Sequence, residues 1–390
     1  MKILFVDDEP RILQGITRSV FHLLDEWEVE TAGSGPEALE ILAEGGFQVL
    51  VTDMRMPGMD GAALLVRVHD EFPDVVRIVL SGHTELEAAL RVVPVAHQFL
   101  TKPCDAEQLQ AVIERALNLR ALLSSESLRS LVGHVKSLPA VPRIYAKLTA
   151  MLADPDACIR DVSDLIESDP AMCVKVLQLV NSSFFSAARA TTDVHRAVSR
   201  LGIRMVKNLA LMVEVFSPRS VQGVSEAAME RQAQHGLRVG TLASHMVEGQ
   251  IMKDDAFMSG LLHDIGKLVL WAEQPGLHEQ VMQRMEESQL QEHEAEREIL
   301  SASHAEVGGY LVGVWGLPYR IAEAVAFHHN PAVPHGDAID LLSATHIANE
   351  LLSGRAPSDE YLAAVGVTPG QLDAWRARAS EIGGALGDAA

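Results

Sequence analysis

The chain is poor in the features that mark secreted, membrane-spanning or nucleic-acid-coating proteins. Its three cysteines in 390 residues, Cys104, Cys158 and Cys173, are odd in number and lack metal-ligand spacing. They argue against a disulfide framework and for reduced, structural thiols of a cytoplasmic protein. No apolar run reaches the roughly 20 residues that a membrane span requires. The opening residues, Lys2-Ile3-Leu4-Phe5-Val6-Asp7-Asp8, read as a strand leading into a site rather than as a signal peptide. Basic residues are in deficit, with 32 Lys and Arg against 53 Asp and Glu, a net charge of -21. So acidic a chain has no overall attraction for a phosphate backbone, which argues against direct DNA binding. A Gly/Ser-rich linker is also missing, so any domains are expected to be coupled semi-rigidly.

What is present points to more than one domain. A length of 390 residues predicts two or three, and 48% hydrophobic content is enough for full cores. Strand-like runs at 2–6, 27–31, 48–52, 76–80 and 97–101 alternate with helical patterns up to about Leu119. That alternation predicts a doubly wound α/β fold with a five-stranded parallel sheet. Each of four strands is followed by chemistry: Asp7 and Asp8, Asp53, Ser81 and Lys102. In an open parallel sheet the carboxyl ends of the strands form the ligand crevice. Three carboxylates, a hydroxyl and an ammonium are therefore expected at one rim, a set suited to a hard divalent cation and a phosphoryl group. Asp8 and Asp53 are expected to ligate Mg²⁺ directly and Asp7 through water, with the Arg55 carbonyl completing the shell. The metal and Lys102 would offset charge on a phosphoryl group attacked by Asp53, and Ser81 would donate to it.

From Asp105 to Leu123 apolar residues recur as a short heptad seam (Leu109, Val112, Ala116, Leu119, Leu123). The seam predicts a helix that reaches toward the next domain and is free to pair with a second chain. From Leu138 to about Pro331 the pattern is helical, with stops at Asp154-Pro155, Asp169-Pro170, Gly202 and Gly276. Asp169 and Pro170 form a helix start. Ten of the 16 histidines lie at or after His235. His263-Asp264 sits among core aliphatics, where such a pair is costly unless partnered or metal-bound. The candidate ligands are His235, His263, Asp264, His304, His328, His329 and His346, which suit a transition metal. A network of mutual hydrogen bonds is the competing reading. His245, His278, His293 and His335 are expected at the surface. After residue 336 the pattern predicts a helix over 337–353, a small helical cap and a frayed end from Gly383.

The N-terminal motifs Val6-Asp7-Asp8-Glu9, Asp53-Met54-Arg55-Met56-Pro57-Gly58-Met59-Asp60-Gly61 and Lys102-Pro103 resemble the receiver domain of two-component response regulators, a flavodoxin-like fold. The resemblance covers residues 1–120. It implies that Asp53 is the phospho-acceptor, Asp7 and Asp8 the acidic metal site, Ser81 and Phe99 the switch residues and Lys102 the conserved-type lysine. Gly82 stands where the family often has alanine, which implies a more open phosphoryl pocket.

Residues 131–331 resemble the HD-related output domain (HDOD). The resemblance rests on Leu138-Pro139-Ala140-Val141-Pro142, Asn181-Ser182-Ser183, Gly260-Leu261-Leu262-His263-Asp264-Ile265-Gly266-Lys267, Trp315-Gly316-Leu317-Pro318 and His328-His329. The candidate ligands also fall in the order of the metal ligands of HD and HD-GYP hydrolases. Two departures stand out: the final Asp of that set is replaced near His346, and no glycine-tyrosine-proline signature follows His328-His329. The resemblances imply a response regulator with residues 121–135 as a connecting helix and 336–390 as a helical extension. A sensor histidine kinase is the expected phosphodonor, and a non-catalytic effector acting on an unknown downstream protein or second messenger is the preferred output. A metal-dependent phosphohydrolase or cyclic-dinucleotide phosphodiesterase, and nucleotide binding without hydrolysis, remain alternatives. A homodimer is a further expectation.

Overall fold

The computed structural model describes residues 2–19, 27–81, 92, 95–102, 106–120, 123, 126–135, 138, 140, 142–154, 157–181, 190–203, 206, 224–274, 276–331 and 339–387. Gly82, Pro103, Cys104 and His335 lie outside them, and for Ser81 only the backbone is described.

The N-terminal half is a five-stranded parallel sheet in the order β2-β1-β3-β4-β5. Its strands are β1 (Lys2–Val6), β2 (Glu28–Ala32), β3 (Phe47–Asp53), β4 (Val76–Ser81) and β5 (Gln98–Thr101). Ile3, Leu4, Val49, Leu50, Val51, Ile78 and Val79 are fully buried, as expected for strands covered on both faces. Helices α1 (Pro10–Ser19), α2 (Gly35–Ala43), α3 (Gly61–Glu71) and α4 (Ala106–Arg120) flank the sheet. Ser34 caps α2 by accepting from Glu37 N, and Asp60 caps α3 by accepting from Ala63 N. All five expected strands are present, displaced by at most one residue at their ends.

The heptad seam is put to a different use from the one expected. Helix α4 stops at Arg120 and α5 (Glu126–Gly133) follows as a separate element. Leu109, Ala116 and Leu123 are buried within the single chain. Helix α4 packs on β3 and on a helix of the C-terminal half, so Leu109, Ala116 and Leu123 are covered within the chain and do not form an exposed seam. Helix α5 is fastened to β4, α3 and the segment between them by polar contacts. Arg77 Nη2 donates to Gly133 O (2.8 Å), Arg129 Nε donates to Asp74 Oδ1 (2.9 Å) and His69 Nε2 bonds His134 O (3.1 Å).

The second half is helical: α6 (Pro142–Ala153), α7 (Ile159–Glu167), α8 (Pro170–Val180), α9 (Val194–Leu201), α10 (Glu226–Ser244), α11 (Gln250–Leu262), α12 (Ile265–Glu273), α13 (Leu277–Ser288), α14 (Glu292–Leu300), α15 (His304–Val314), α16 (Tyr319–Phe327), α17 (Leu341–Leu352), α18 (Asp359–Ala364) and α19 (Pro369–Gly387). Asp169 accepts from Ala171 N and Met172 N at the start of α8, with Pro170 in its first turn. Every residue of α8 is buried, Lys175 and Gln178 included, so the helix is covered on all sides. Helix α17 begins at Leu341 because Asp340 caps it through Ser343 N. The C-terminal stretch expected to fray stays helical to Gly387. No helix among the described residues is long and apolar enough to cross a membrane.

Candidate functional site

Parallel register brings the ends of β1, β3, β4 and β5 to one rim, with Val6 opposite Thr52, Asp53 opposite Leu80 and Ser81 opposite Thr101. Asp7 and Asp53 are both buried there, and Asp8 is exposed beside them. Lys102 Nζ lies 2.6 Å from Asp7 Oδ2 and 2.6 Å from Asp53 Oδ1. Backbone amides hold the other oxygens: Glu9 N donates to Asp7 Oδ1 (2.9 Å) and Arg55 N to Asp53 Oδ2 (3.1 Å). Burial alone would lower the Lys102 ammonium, and its hydrogen bonds to Asp53 and Asp7 outweigh that, so its pKa is raised. Gly61 is required where it stands, because a Cβ there would collide with the Asp53 carbonyl. The oxygen-only donor set of Asp7, Asp8 and Asp53 fits Mg²⁺. Phe99 is buried on β5.

A second cluster forms where several helices of the C-terminal half end or begin. His263 closes α11, Asp264 precedes α12, His304 opens α15 and His328 closes α16. Asp264 Oδ2 accepts from Gln232 Nε2 (2.8 Å) and Lys267 Nζ (2.9 Å), and lies 3.3 Å from His263 Nε2. Lys267 also pairs with Glu292 (2.8 Å). His304 Nδ1 bonds Glu296 Oε2 (2.6 Å), and its Nε2 lies 3.0 Å from both Asp264 Oδ1 and His329 Nε2. His235 Nε2 bonds Asn349 Oδ1 (3.0 Å).

The protonation pattern is informative. His263 Nδ1 bonds Gly260 O and His328 Nδ1 bonds Val325 O, each at 2.7 Å. A carbonyl only accepts, so each Nδ1 carries a hydrogen, and each Nε2 is turned toward Asp264, 3.3 Å from Oδ2 for His263 and 3.7 Å from Oδ1 for His328. His263 Nε2, His328 Nε2 and Asp264 Oδ1 are buried without a hydrogen bond of acceptable geometry. Buried polar atoms this close to one another without such a bond make a candidate cation site. Burial would raise the Asp264 carboxyl, but His263, Lys267 and His304 hold it well below the usual carboxylate range. Burial would lower His304, but Glu296 and Asp264 lift it to about 10. Burial pushes His235 down to about 4 and His328 well below the usual imidazole range. Candidate ligand atoms of Asp264, His304, His328 and His329 lie within 4.8 Å of one another, as do those of His235, His263 and Asp264. Nitrogen and carboxylate donors of this kind fit a transition metal, and the His304–Glu296 bond is the outer-shell contact that such a ligand uses.

His346 is not part of either group among the described residues. Its Nδ1 bonds His328 O (2.7 Å), its ring meets Tyr361, and Asn349 is the α17 residue that reaches His235. His293, expected at the surface, is buried and stacks on His329 with ring centroids 4.0 Å apart. His278 is half-buried against Trp271, while His245 is exposed. Sequence reasoning missed Gln232, Glu296 and Asn349 as partners of the cluster. The i, i+4 pair Glu292 and Glu296 on one helix face was the available signal.

Known proteins match in the same two parts. The response regulator receiver domain family matches residues 3–114 and the HDOD domain family residues 138–331. An uncharacterized protein of Treponema pallidum is 26% identical over 59% of this chain and 46% of its own length. The chain thus spans under half the length of that relative. The uncharacterized transcriptional regulatory protein YesN of Bacillus subtilis is 30% identical, covering 67% of this chain and 68% of YesN. The MmoQ response regulator of Methylococcus capsulatus is 23% identical, with a TM-score of 0.49 over 62% of this chain and 98% of MmoQ. The chain belongs to the response regulators, with an N-terminal receiver domain and a C-terminal HDOD domain as its output.

Proposed function

We propose that the protein is a cytoplasmic phosphorelay regulator in which Asp53 takes a phosphoryl group from a sensor histidine kinase. The observation that carries this reading is Lys102 Nζ held 2.6 Å from both Asp7 and Asp53. An Asp53 oxygen attacks phosphorus while the P–N bond to the kinase histidine breaks, and the imidazole leaves with the electron pair and takes up a proton. Lys102 then moves its positive charge from the carboxylates to a phosphoryl oxygen. Asp7, Asp8 and Asp53 would hold Mg²⁺, which supplies further charge neutralisation when bound. Ser81 at the end of β4 and Phe99 on β5 would carry the resulting change to the domain face. Acetyl phosphate labels the wild type and fails to label Asp53→Asn; persistent label on the variant would refute the acceptor.

The output is a regulated module built around a metal centre rather than an established catalyst. The buried His263 Nε2, His328 Nε2 and Asp264 Oδ1, which lack a hydrogen bond of acceptable geometry, support metal binding. His235, His263, Asp264, His304, His328 and His329 would hold the ion. Bound metal would lower the pKa of a coordinated water. Turnover is a second reading, favoured by a polar cavity of about 330 Å³ beside His329, lined by Gln291, His293, Arg297, His346 and Glu350 among others. Elemental analysis should find transition metal in the wild type and lose it in His263→Ala and Asp264→Ala. Assay against a cyclic-dinucleotide panel then separates a hydrolase from a metal-bearing interaction module.

A further inference from the structure

Helix α15 occupies a singular position between the two halves. Its first residue is His304, inside the histidine cluster. Its body fixes the other members. A Cβ on Gly266 would collide with the His304 carbonyl, so α15 and α12 meet backbone to backbone just past Asp264. A Cβ on Gly309 would run into Ala326 and the Ala322 carbonyl, so α15 is equally close to α16, which ends at His328. Contacts this tight transmit displacement instead of absorbing it.

The remaining side of α15 lies on the receiver. It packs against α4 and α5, and Tyr310 is within electrostatic reach of the buried Arg77 that binds Gly133 O. At its C-terminal end Trp315 covers the ammonium of Lys175 (3.7 Å), and a Cβ built on Gly316 would come into ordinary van der Waals contact with the buried side chain of Gln98 on β5. Gln178 of α8 adds a hydrogen bond to Ala96 O (3.2 Å), two residues before Gln98. The same strand leads on to Phe99 and Lys102. A route therefore runs from Lys102 along β5 to Gln98 and Ala96, which face Gly316 and Gln178 of the C-terminal half, and up α15 to His304.

We infer that phosphoryl occupancy at Asp53 and metal affinity at the Asp264–His304 centre are reciprocally coupled through α15. The inference rests on the metal reading above and adds its regulation. A change in β5 that displaces the C-terminal end of α15 displaces His304 relative to Asp264 and His328. Coupling between two sites is an equilibrium property and acts equally in both directions. Metal binding must then alter the affinity of the receiver for a phosphoryl analogue by the same factor.

The test uses the full chain and Co²⁺, whose visible absorption reports a histidine and carboxylate shell. Titrations are run in constant excess Mg²⁺, with and without beryllofluoride. Wild type should bind Co²⁺ with affinities that differ by about fivefold or more between the two conditions, the low end of typical allosteric coupling. Beryllofluoride affinity should change by the same factor when Co²⁺ is added. Gln98→Ala touches neither site, and should keep both individual affinities while bringing the ratio close to one. Equal Co²⁺ affinities in the wild type would overturn the coupling and leave the metal reading standing. Co²⁺ binding that survives His263→Ala and Asp264→Ala would overturn both. An undiminished ratio in Gln98→Ala would overturn the route through β5 and α15.

Discussion

Replacing Lys102 with methionine tests the electrostatic logic of the receiver rim. The Lys102 side chain is 26% exposed, while the side chains it bridges are 2% exposed at Asp7 and 13% at Asp53. Hydrogen bonds to charged groups contribute about 1.5–3 kcal/mol each. Removing one partner of a buried pair costs about 3–5 kcal/mol because the remaining charge is left unpaired. Here two carboxylates would be left facing each other, with the rim still partly open to water. A local cost of about 3 kcal/mol follows, roughly a hundredfold more frequent opening of β1 and β3. Amide hydrogen exchange with mass spectrometry reads that opening strand by strand. Mg²⁺ can take the place of the lost ammonium, so excess Mg²⁺ should protect the variant more than the wild type. Wild-type exchange rates in the Mg²⁺-free variant, or equal protection of the two proteins by Mg²⁺, would refute this account of the rim.

Further outcomes follow from other contacts. Gly61→Ala forces the start of α3 away from the Asp53 carbonyl. It should cost about 1–3 kcal/mol of receiver stability and slow acetyl phosphate labelling, both measurable on the full chain. Burial pushes Lys175 down to about 7. Between that value and 10.5 the unfolded chain binds more protons at this site, so the contribution of Lys175 to stability rises with pH across that window. Lys175→Met should remove that rise and be more stable than the wild type at pH values below 7, as read by urea midpoints; an unchanged pH slope would contradict it. Glu296→Gln weakens the bond that orients His304. It should lower transition-metal affinity by about 10–100-fold, with no change in Asp53 labelling when Mg²⁺ is supplied and transition metal is left out.

The sheet and its rim were legible because both signals are local. A buried parallel strand is a short apolar run, and the residue that follows it falls at the crevice, as Asp7 and Asp53 do. The position of Lys102 between two carboxylates was legible only as convergence, since its distances depend on the register of four strands. The order of the histidines pointed to the second cluster, but Gln232, Asn349 and Glu296 gave no such signal, and α14 is the clearest case. Glu292-His293-Glu294-Ala295-Glu296-Arg297-Glu298 has the composition of a solvated helix, yet Glu296 and His293 are buried because α14 packs beside the start of α15 and His329. The heptad seam misled for a related reason. Periodicity shows that a face is apolar, not what covers it, and here α4 is covered by the sheet and α15.

Everything in the relay depends on a covalent phosphate at a single carboxylate. The direct measurement is borohydride trapping of the acetyl-phosphate-treated full chain, which reduces an acyl phosphate to homoserine, followed by peptide mass spectrometry. Homoserine at position 53, absent without acetyl phosphate, is the predicted result. Reduction at another aspartate, or at none while the protein is demonstrably phosphorylated, would contradict the assignment.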